Sequence, residues 1–171
     1  MSPAKSQKKN RRRKQVQTPK RLEGLRRKLD QGPFRGYKLI AGPTDEAKMS
    51  DVLADFVAPY VVAAHSEDAY HKLLTLAVLA WNAALLTEDQ QQQMIDDVLI
   101  QGLGAAPESL KMELREFVGA LIVRKKALFP DNQRAIIEFE IQNSGKGYHL
   151  SVVSTLPAPH IGGSGKERPG S

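Results

Sequence analysis

Residues 66–86 read SEDAYHKLLTLAVLAWNAALL, a segment too apolar to form a surface helix. On a helical wheel, ten of its leucine, valine, alanine and tryptophan side chains, from Leu73 to Leu85, fill an arc of about 220°. Because an arc of that width must be covered by other elements, the segment predicts a helix at the centre of the core. Ser66 is a suitable N-cap, and the carboxylates of Glu67 and Asp68 interact favourably with the dipole of the first turn.

Three further helices are predicted around this central one. Each shows apolar residues at spacings of three and four, as expected for a helix with one buried face. Their expected starts are Thr44 or Ser50, Thr87, and Pro107. Thr87-Glu88-Asp89-Gln90 matches a capping box, which favours a helix start at Thr87.

A β-hairpin is predicted after the helices, because the spacing of apolar residues changes to two. Residues 135–141 place Ile137 and the following phenylalanine and isoleucine on one face and two glutamates on the other. Residues 143–147, Asn-Ser-Gly-Lys-Gly, are suited to a turn before a second strand at 148–154. A two-stranded sheet is barely stable alone, so the hairpin is expected to pack on the helices or to recruit a third strand, such as residues 37–41.

The predicted fold is therefore α+β and mostly α: a compact four-helix domain with a C-terminal β-hairpin. This domain is expected to occupy residues 44–156. Residues 1–43 are predicted to be a disordered basic arm and linker, with a short amphipathic helix over residues 19–30 that would form on docking to the body or to a partner. Residues 157–171 are rich in Pro, Gly and Ser and are predicted to be a disordered tail.

The composition limits the class of protein. Cysteine is absent from the 171 residues, which excludes disulfides and thiolate metal sites and fits a reducing cytoplasm. The longest strongly apolar run, residues 73–86, is shorter than the roughly 20 residues that a membrane span requires. No apolar segment follows the N-terminal cations, so a secretory signal is not expected. The sequence therefore predicts a soluble, cytoplasmic protein without a membrane span, and it indicates no oligomeric state.

The charge is divided unevenly along the chain. Residues 1–38 hold 14 Lys and Arg residues and 2 acids, a net charge of +12, whereas residues 39–171 carry −6. Closely spaced cations neutralise successive phosphates and release counterions, so the arm is predicted to bind nucleic acid. RNA or the ribosome is favoured, because no helix-turn-helix, zinc-finger or basic-zipper pattern is present to read DNA bases. The predicted phosphate contacts are Lys8, Lys9, Arg11, Arg12, Arg13, Lys14, Lys20, Arg21, Arg26 and Arg27.

This division of charge predicts a non-catalytic accessory protein that associates with nucleic acid through the arm, while the acidic body engages another protein. The alternative is a protein-interaction adaptor whose arm docks on its own acidic body. The two hypotheses differ in whether the basic residues face a partner or the rest of the chain.

A candidate polar site lies on the central helix. His71, Thr75 and Asn82 fall within a stripe of about 40° on an otherwise apolar helix. A histidine there could act as a base or a ligand, but the simpler interpretation is that the stripe is the exposed edge of the helix. Two glycine-rich stretches near the C-terminus lack the spacing of a phosphate loop. No catalytic residue, metal site or cofactor is therefore predicted.

Overall fold

The computed structural model describes residues 20–39, 47–143, 145 and 147–156. Within these ranges the chain forms five helices and a two-stranded hairpin. The elements are α1 (residues 20–31), α2 (Met49–Val61), α3 (Glu67–Ala83), α4 (Glu88–Leu103), α5 (Glu108–Leu128), β1 (Ile136–Asn143) and β2 (Tyr148–Ser154). The prediction of an α+β, mostly α fold is confirmed, and α1 is a fifth helix beside the four expected in the domain. The predicted tail and residues 1–19 of the arm lie outside the described ranges.

Helix α3 lies at the centre of the main core, where α2, α4, α5 and β1 contact it. Its fully buried side chains are Leu74, Ala77, Ala80, Trp81 and Ala83. The Trp81 ring makes an edge contact with Phe56 of α2 at a centroid distance of 5.4 Å, and a tilted contact with Phe129 after α5 at 5.5 Å. Such aromatic pairs contribute about 0.5–1.5 kcal/mol beyond the area that they bury. Trp81 therefore joins two neighbouring elements to α3.

Hydrogen bonds from Trp81 and Asn82 attach the start of β1 to α3. The Trp81 Nε1–H donates to the Arg134 carbonyl at 2.8 Å. The Asn82 side chain donates from Nδ2 to the Ile136 carbonyl at 2.8 Å and accepts from the Ile136 N–H at 2.9 Å. Asn82 thus makes the pair of bonds that a residue of a neighbouring strand would make. Buried backbone groups need such partners, so these side chains fix the position of the hairpin.

The helix ends follow the local sequence. The Ser66 hydroxyl accepts from the Ala69 N–H at 3.1 Å, and Thr87 and Gln90 form the predicted capping box. In α2, Pro59 has no N–H to donate to the carbonyl four residues earlier. The Arg124 guanidinium of α5 reaches this point: its Nη2 donates to the freed Asp55 carbonyl at 3.5 Å, and its Nε donates to the Phe56 carbonyl at 3.0 Å. One cation of α5 is therefore used to satisfy the backbone of α2.

The hairpin is antiparallel, and its apolar face lies on the helices. Ile136 pairs with Ser154 at one end, and Asn143 pairs with Tyr148 at the other. The Tyr148 ring stacks on Tyr70 of α3 at a centroid distance of 5.4 Å. The hairpin therefore extends along α3 from Asn82, near the C-terminal end of the helix, to Tyr70 in its first turns.

Strand β1 contains a bulge that its apolar alternation does not predict. The register shifts between Ile136 and Glu138, so Ile137 leaves the face that carries Phe139. Ile136 and Phe139 pack on the main core, whereas Ile137 joins a second apolar cluster beside α1. The prediction that Ile137 shares a face with Phe139 is wrong, because an inserted residue reverses the alternation at that point.

The third strand considered for residues 37–41 is a short contact in the described part of this segment. Leu39 forms an isolated antiparallel bridge with Thr155, and the Leu156 N–H donates to the Lys38 carbonyl at 2.7 Å. Residues 40–46 lie outside the described ranges. The hairpin packs on the helices, one of the options that the sequence left open beside a third strand from residues 37–41 or from a second copy of the chain.

Trp81→Ala is expected to lower the free energy of unfolding by about 3–5 kcal/mol, because it opens a cavity and removes the bond to Arg134. Chemical denaturation followed by circular dichroism measures this change. His71→Ala, on the exposed side of the same helix, should change the free energy by less than about 0.5 kcal/mol. A nearly neutral Trp81→Ala would contradict the central position of α3.

Candidate nucleic-acid interface

Helix α1 docks on the body through a small apolar cluster. Leu25, Leu29 and Phe34 are buried, and Leu29 and Phe34 form a cluster with Ala135 at the start of the hairpin. Half-buried residues of the α3–α4 turn, together with Ile137, pack against it. A helix of about 12 residues is marginal alone in water. We infer that contact with the body stabilises α1 and fixes the direction of its cations.

Two cations of α1 lie beside two carboxylates of β1. The Arg21 Nη2 is 3.7 Å from an oxygen of Glu138 and 3.5 Å from one of Glu140. The Lys28 Nζ is 3.5 Å from the other oxygen of Glu138. Both cationic side chains remain more than half exposed, and exposed pairs contribute about 0–1 kcal/mol each. The leucines therefore account for most of the docking energy, and the ion pairs orient the helix.

The other five cations of residues 20–38 are exposed and have no ion pair within the described ranges. They are Lys20, Arg26, Arg27, Arg35 and Lys38. Their charges are therefore open to solvent, and they follow the cationic run of residues 8–14 after five uncharged residues. Clustered, exposed positive charges attract polyanions and raise the rate at which polyanions associate with the protein.

The cations of the body are mostly engaged within the fold. Lys72 pairs with Asp68 at 2.6 Å, and Lys111 pairs with Glu108 at 2.7 Å. Arg115 donates to Asp96, and hydrogen bonds from Gln92 and Arg115 lower the pKa of that carboxyl. The other engaged cations are Arg124, which bonds to α2, and Arg134, which is buried and donates to the Ala47 carbonyl at 2.8 Å. Among the described residues, the unpaired cations are thus concentrated on the N-terminal segment.

The structure separates the predicted phosphate contacts into groups. Residues 8–14 lie outside the described ranges. Lys20, Arg26 and Arg27 are exposed, whereas Arg21 lies beside carboxylates. Lys28 was not among the predicted contacts, although it is seven residues from Arg21 and so lies on the same face of a helix. That spacing is the signal that could have identified it.

The predicted polar stripe on α3 does not form one site. The Thr75 hydroxyl donates to the His71 carbonyl at 2.9 Å, within the same helix. Asn82 is half-buried and bonded to Ile136, so it belongs to the attachment of the hairpin. His71 is exposed and lies 5.1 Å from the Phe139 ring, centroid to centroid. The interpretation as an exposed edge therefore fits His71 and Thr75 and does not fit Asn82.

A shallow, open concavity of about 530 Å³ lies beside His71 and is lined by Glu67, Asp68, His71 and Ile141. One of its two carboxylates, that of Asp68, pairs with Lys72. In the described part of the chain, no group of three or more potential metal ligands comes together.

Lys125 of α5 is a cation inside the core. Only 2% of the residue is exposed, and its Nζ lies 5.3 Å from the centroid of the Trp81 ring. Burial, together with the nearby charge of Lys126, lowers the pKa of Lys125. Among the residues that the structure describes, Lys125 has no ion pair with a carboxylate. The face of the Trp81 ring supplies the compensating contact.

Lys125→Met is expected to raise the free energy of unfolding at neutral pH by about 1 kcal/mol, because it removes a desolvated charge. In the wild type, the folded state loses this proton before the unfolded state, whose lysine has a pKa near 10.5. The advantage of the variant should therefore shrink as the pH rises through the lowered pKa towards that value. Denaturation at several pH values tests this, with exposed Lys48→Met as the control. An advantage independent of pH would contradict the assignment.

Asn82→Ala is expected to lower the free energy of unfolding by about 1–3 kcal/mol, because the N–H and carbonyl of Ile136 both lose a partner. Thr75→Ala removes a polar group from the same stripe but leaves its acceptor in the α3 backbone, so it should be nearly neutral. Thermal denaturation of both variants distinguishes them. Equal, small effects would show that the attachment of β1 does not depend on Asn82.

No family model, curated protein or solved structure matches the chain. In the described ranges, no helix combines the length and apolar character needed to cross a membrane.

Proposed function

We propose that the chain is a non-catalytic accessory protein that binds nucleic acid through its basic N-terminal region, with RNA or the ribosome as the favoured partner. The observation that carries this proposal is the distribution of unpaired cations. Those of residues 20–38 are all exposed, whereas most described cations of the body bind carboxylates or backbone carbonyls or are buried. In the folded chain, most cations of the body are therefore engaged by other groups, whereas those at the N-terminal end remain exposed to a partner.

The opposite charges of the two parts of the chain favour one of them as the binding region for a polyanion. Residues 1–38 carry +12 and attract phosphates, whereas residues 39–171 carry −6 and repel them. A polyanion is thus bound at the N-terminal end, and the acidic body is left to engage another protein. RNA is favoured over DNA because the sequence has no pattern that reads DNA bases. A cytoplasmic location fits the absence of cysteine.

The experiment compares the full chain with a variant in which the run of cations is replaced by glutamine. The replaced residues are Lys8, Lys9, Arg11, Arg12, Arg13 and Lys14. Fluorescence anisotropy with a labelled RNA duplex should show binding by the full chain at low salt. Six lost phosphate contacts should reduce the slope of log K against log salt by about 5, at about 0.9 per contact. Substitution is preferred to deletion of residues 1–30, because that deletion would also remove Leu25 and Leu29 from the docked helix.

The double variant Lys48→Gln/Lys126→Gln is the control, because both lysines are exposed cations of the body without an ion pair in the described ranges. It should change the slope little. Absence of RNA binding by the full chain at low salt, or wild-type binding by the six-glutamine variant, would refute the proposal.

The second candidate is a protein-interaction adaptor whose basic region folds onto its own acidic body. The contacts of Arg21 and Lys28 with Glu138 and Glu140 favour it, because they show the basic segment in contact with acidic residues of the same chain. This candidate predicts that the six-glutamine variant melts at a lower temperature and retains nucleic acid as the wild type does. The first proposal predicts the opposite pair of results.

A further inference from the structure

The cations of α1 are not spread evenly around the helix. At 100° per residue, four of them lie within an arc of about 120°. This basic strip consists of Lys20, Arg21, Arg27 and Lys28. The two acids of the helix, Glu23 and Asp30, lie together with Arg26 beyond the buried leucines, and Glu23 is about 40° from Arg27 at the edge of the strip. Docking through the leucines therefore holds the basic strip at the surface.

The middle of the basic strip is low and open. Gly24 lies between Lys20 and Lys28 on the wheel, and a Cβ added at Gly24 would meet no atom within 4 Å. No side chain rises at this point, so a bulky partner can approach the helix and contact cations on both sides of it.

The carboxylates of β1 bind one edge of the strip only loosely. Distances of 3.5–3.7 Å from Arg21 and Lys28 to Glu138 and Glu140 exceed the roughly 2.7–2.9 Å of charge-assisted hydrogen bonds. Solvent reaches all four side chains. The cations can therefore exchange a carboxylate for a phosphate without unfolding the helix.

We propose that the basic strip binds the phosphate backbone of nucleic acid, and that Glu138 and Glu140 compete with the phosphates for Arg21 and Lys28. This inference rests on the proposed function and adds the residues of the folded surface: it includes Lys28 and excludes Arg26. The strip recognises the backbone rather than the bases, because Phe34 is buried and Tyr37 packs on it at 5.5 Å, so neither ring is presented for stacking.

A membrane surface is the less favoured partner for the strip. An interfacial helix inserts its apolar face between lipids. In α1 the side chains that would insert, Leu25 and Leu29, are buried against the body. Only charge would remain to attract a bilayer.

The experiment measures binding of the full chain to a labelled RNA duplex over a range of salt concentrations. Arg21→Gln/Lys28→Gln should reduce the slope of log K against log salt by about 1.8, at about 0.9 per lost contact. Lys20→Gln/Arg27→Gln should do the same. Lys20 and Arg27 form no ion pair in the described ranges. Their replacement therefore leaves the contacts that dock α1 on the body unchanged, and a lower slope would report lost contacts with RNA. Lys48→Gln/Lys126→Gln is the charge-matched control and should leave the slope nearly unchanged.

Competition between the carboxylates of β1 and the phosphates is tested by replacing the two glutamates. Glu138→Gln/Glu140→Gln should tighten RNA binding about two- to fivefold, as expected from releasing exposed ion pairs. Glu113→Gln/Glu116→Gln, an equal change of charge on exposed α5 residues, should have a smaller effect. In the Arg21→Gln/Lys28→Gln background, the additional tightening over this control should disappear.

The outcomes separate the two proposals. If the full chain does not bind the duplex at low salt, both fail. If it binds and both strip pairs behave as the body control, the strip is not the surface, and binding by residues 8–14 stands. If the strip variants weaken binding and the β1 variants match their α5 control, competition is refuted. Binding to anionic lipid vesicles in place of the duplex would also overturn the inference.

Discussion

The structure depends on the attachment of one backbone segment, residues 134–136, to two consecutive side chains of α3. Trp81 bonds to the carbonyl of Arg134, and the amide of Asn82 bonds to both polar groups of Ile136. These bonds set where the hairpin starts on the helical core. Ala135, between the two attached residues, then faces the cluster that receives α1. The direction of the N-terminal cations thus depends on a contact at the middle of the chain.

The central helix and its neighbours could be predicted because their signals are local. The apolar arc of residues 66–86 and the capping box at Thr87 each lie within a few turns of chain. The role of Asn82 could not be predicted in this way, because its partner lies 54 residues later in the sequence. On the wheel it fell beside His71 and Thr75, and only the contact with β1 distinguishes a structural amide from an exposed edge. Lys125 is similar: its position near the end of a helix indicates a solvated charge, yet the Trp81 ring covers it.

The candidate interface was partly visible in the sequence as an imbalance of charge. The number of cations does not show which of them form contacts within the folded chain. Those contacts depend on which face of α1 is buried. The leucines of α1 indicate an apolar face, but the bulge of β1 decides that Ile137 and the glutamates lie beside it. In the sequence, Arg21, Lys28 and Arg26 are equivalent cations of one basic segment. In the structure, Arg21 and Lys28 lie beside the glutamates of β1, whereas Arg26 does not.

The same bulge also determines where the chain can change length during evolution. Beyond it, the paired strands alternate between a face that packs on α3 and a face that carries Glu138 and Glu140. Loss of the inserted residue would exchange these faces along the whole of β1, placing carboxylates against the core and Phe139 in solvent. A residue gained or lost in the turn predicted between the strands would alter only the turn itself. Insertions and deletions should therefore accumulate among homologues at residues 143–147 and be rare at residues 136–138.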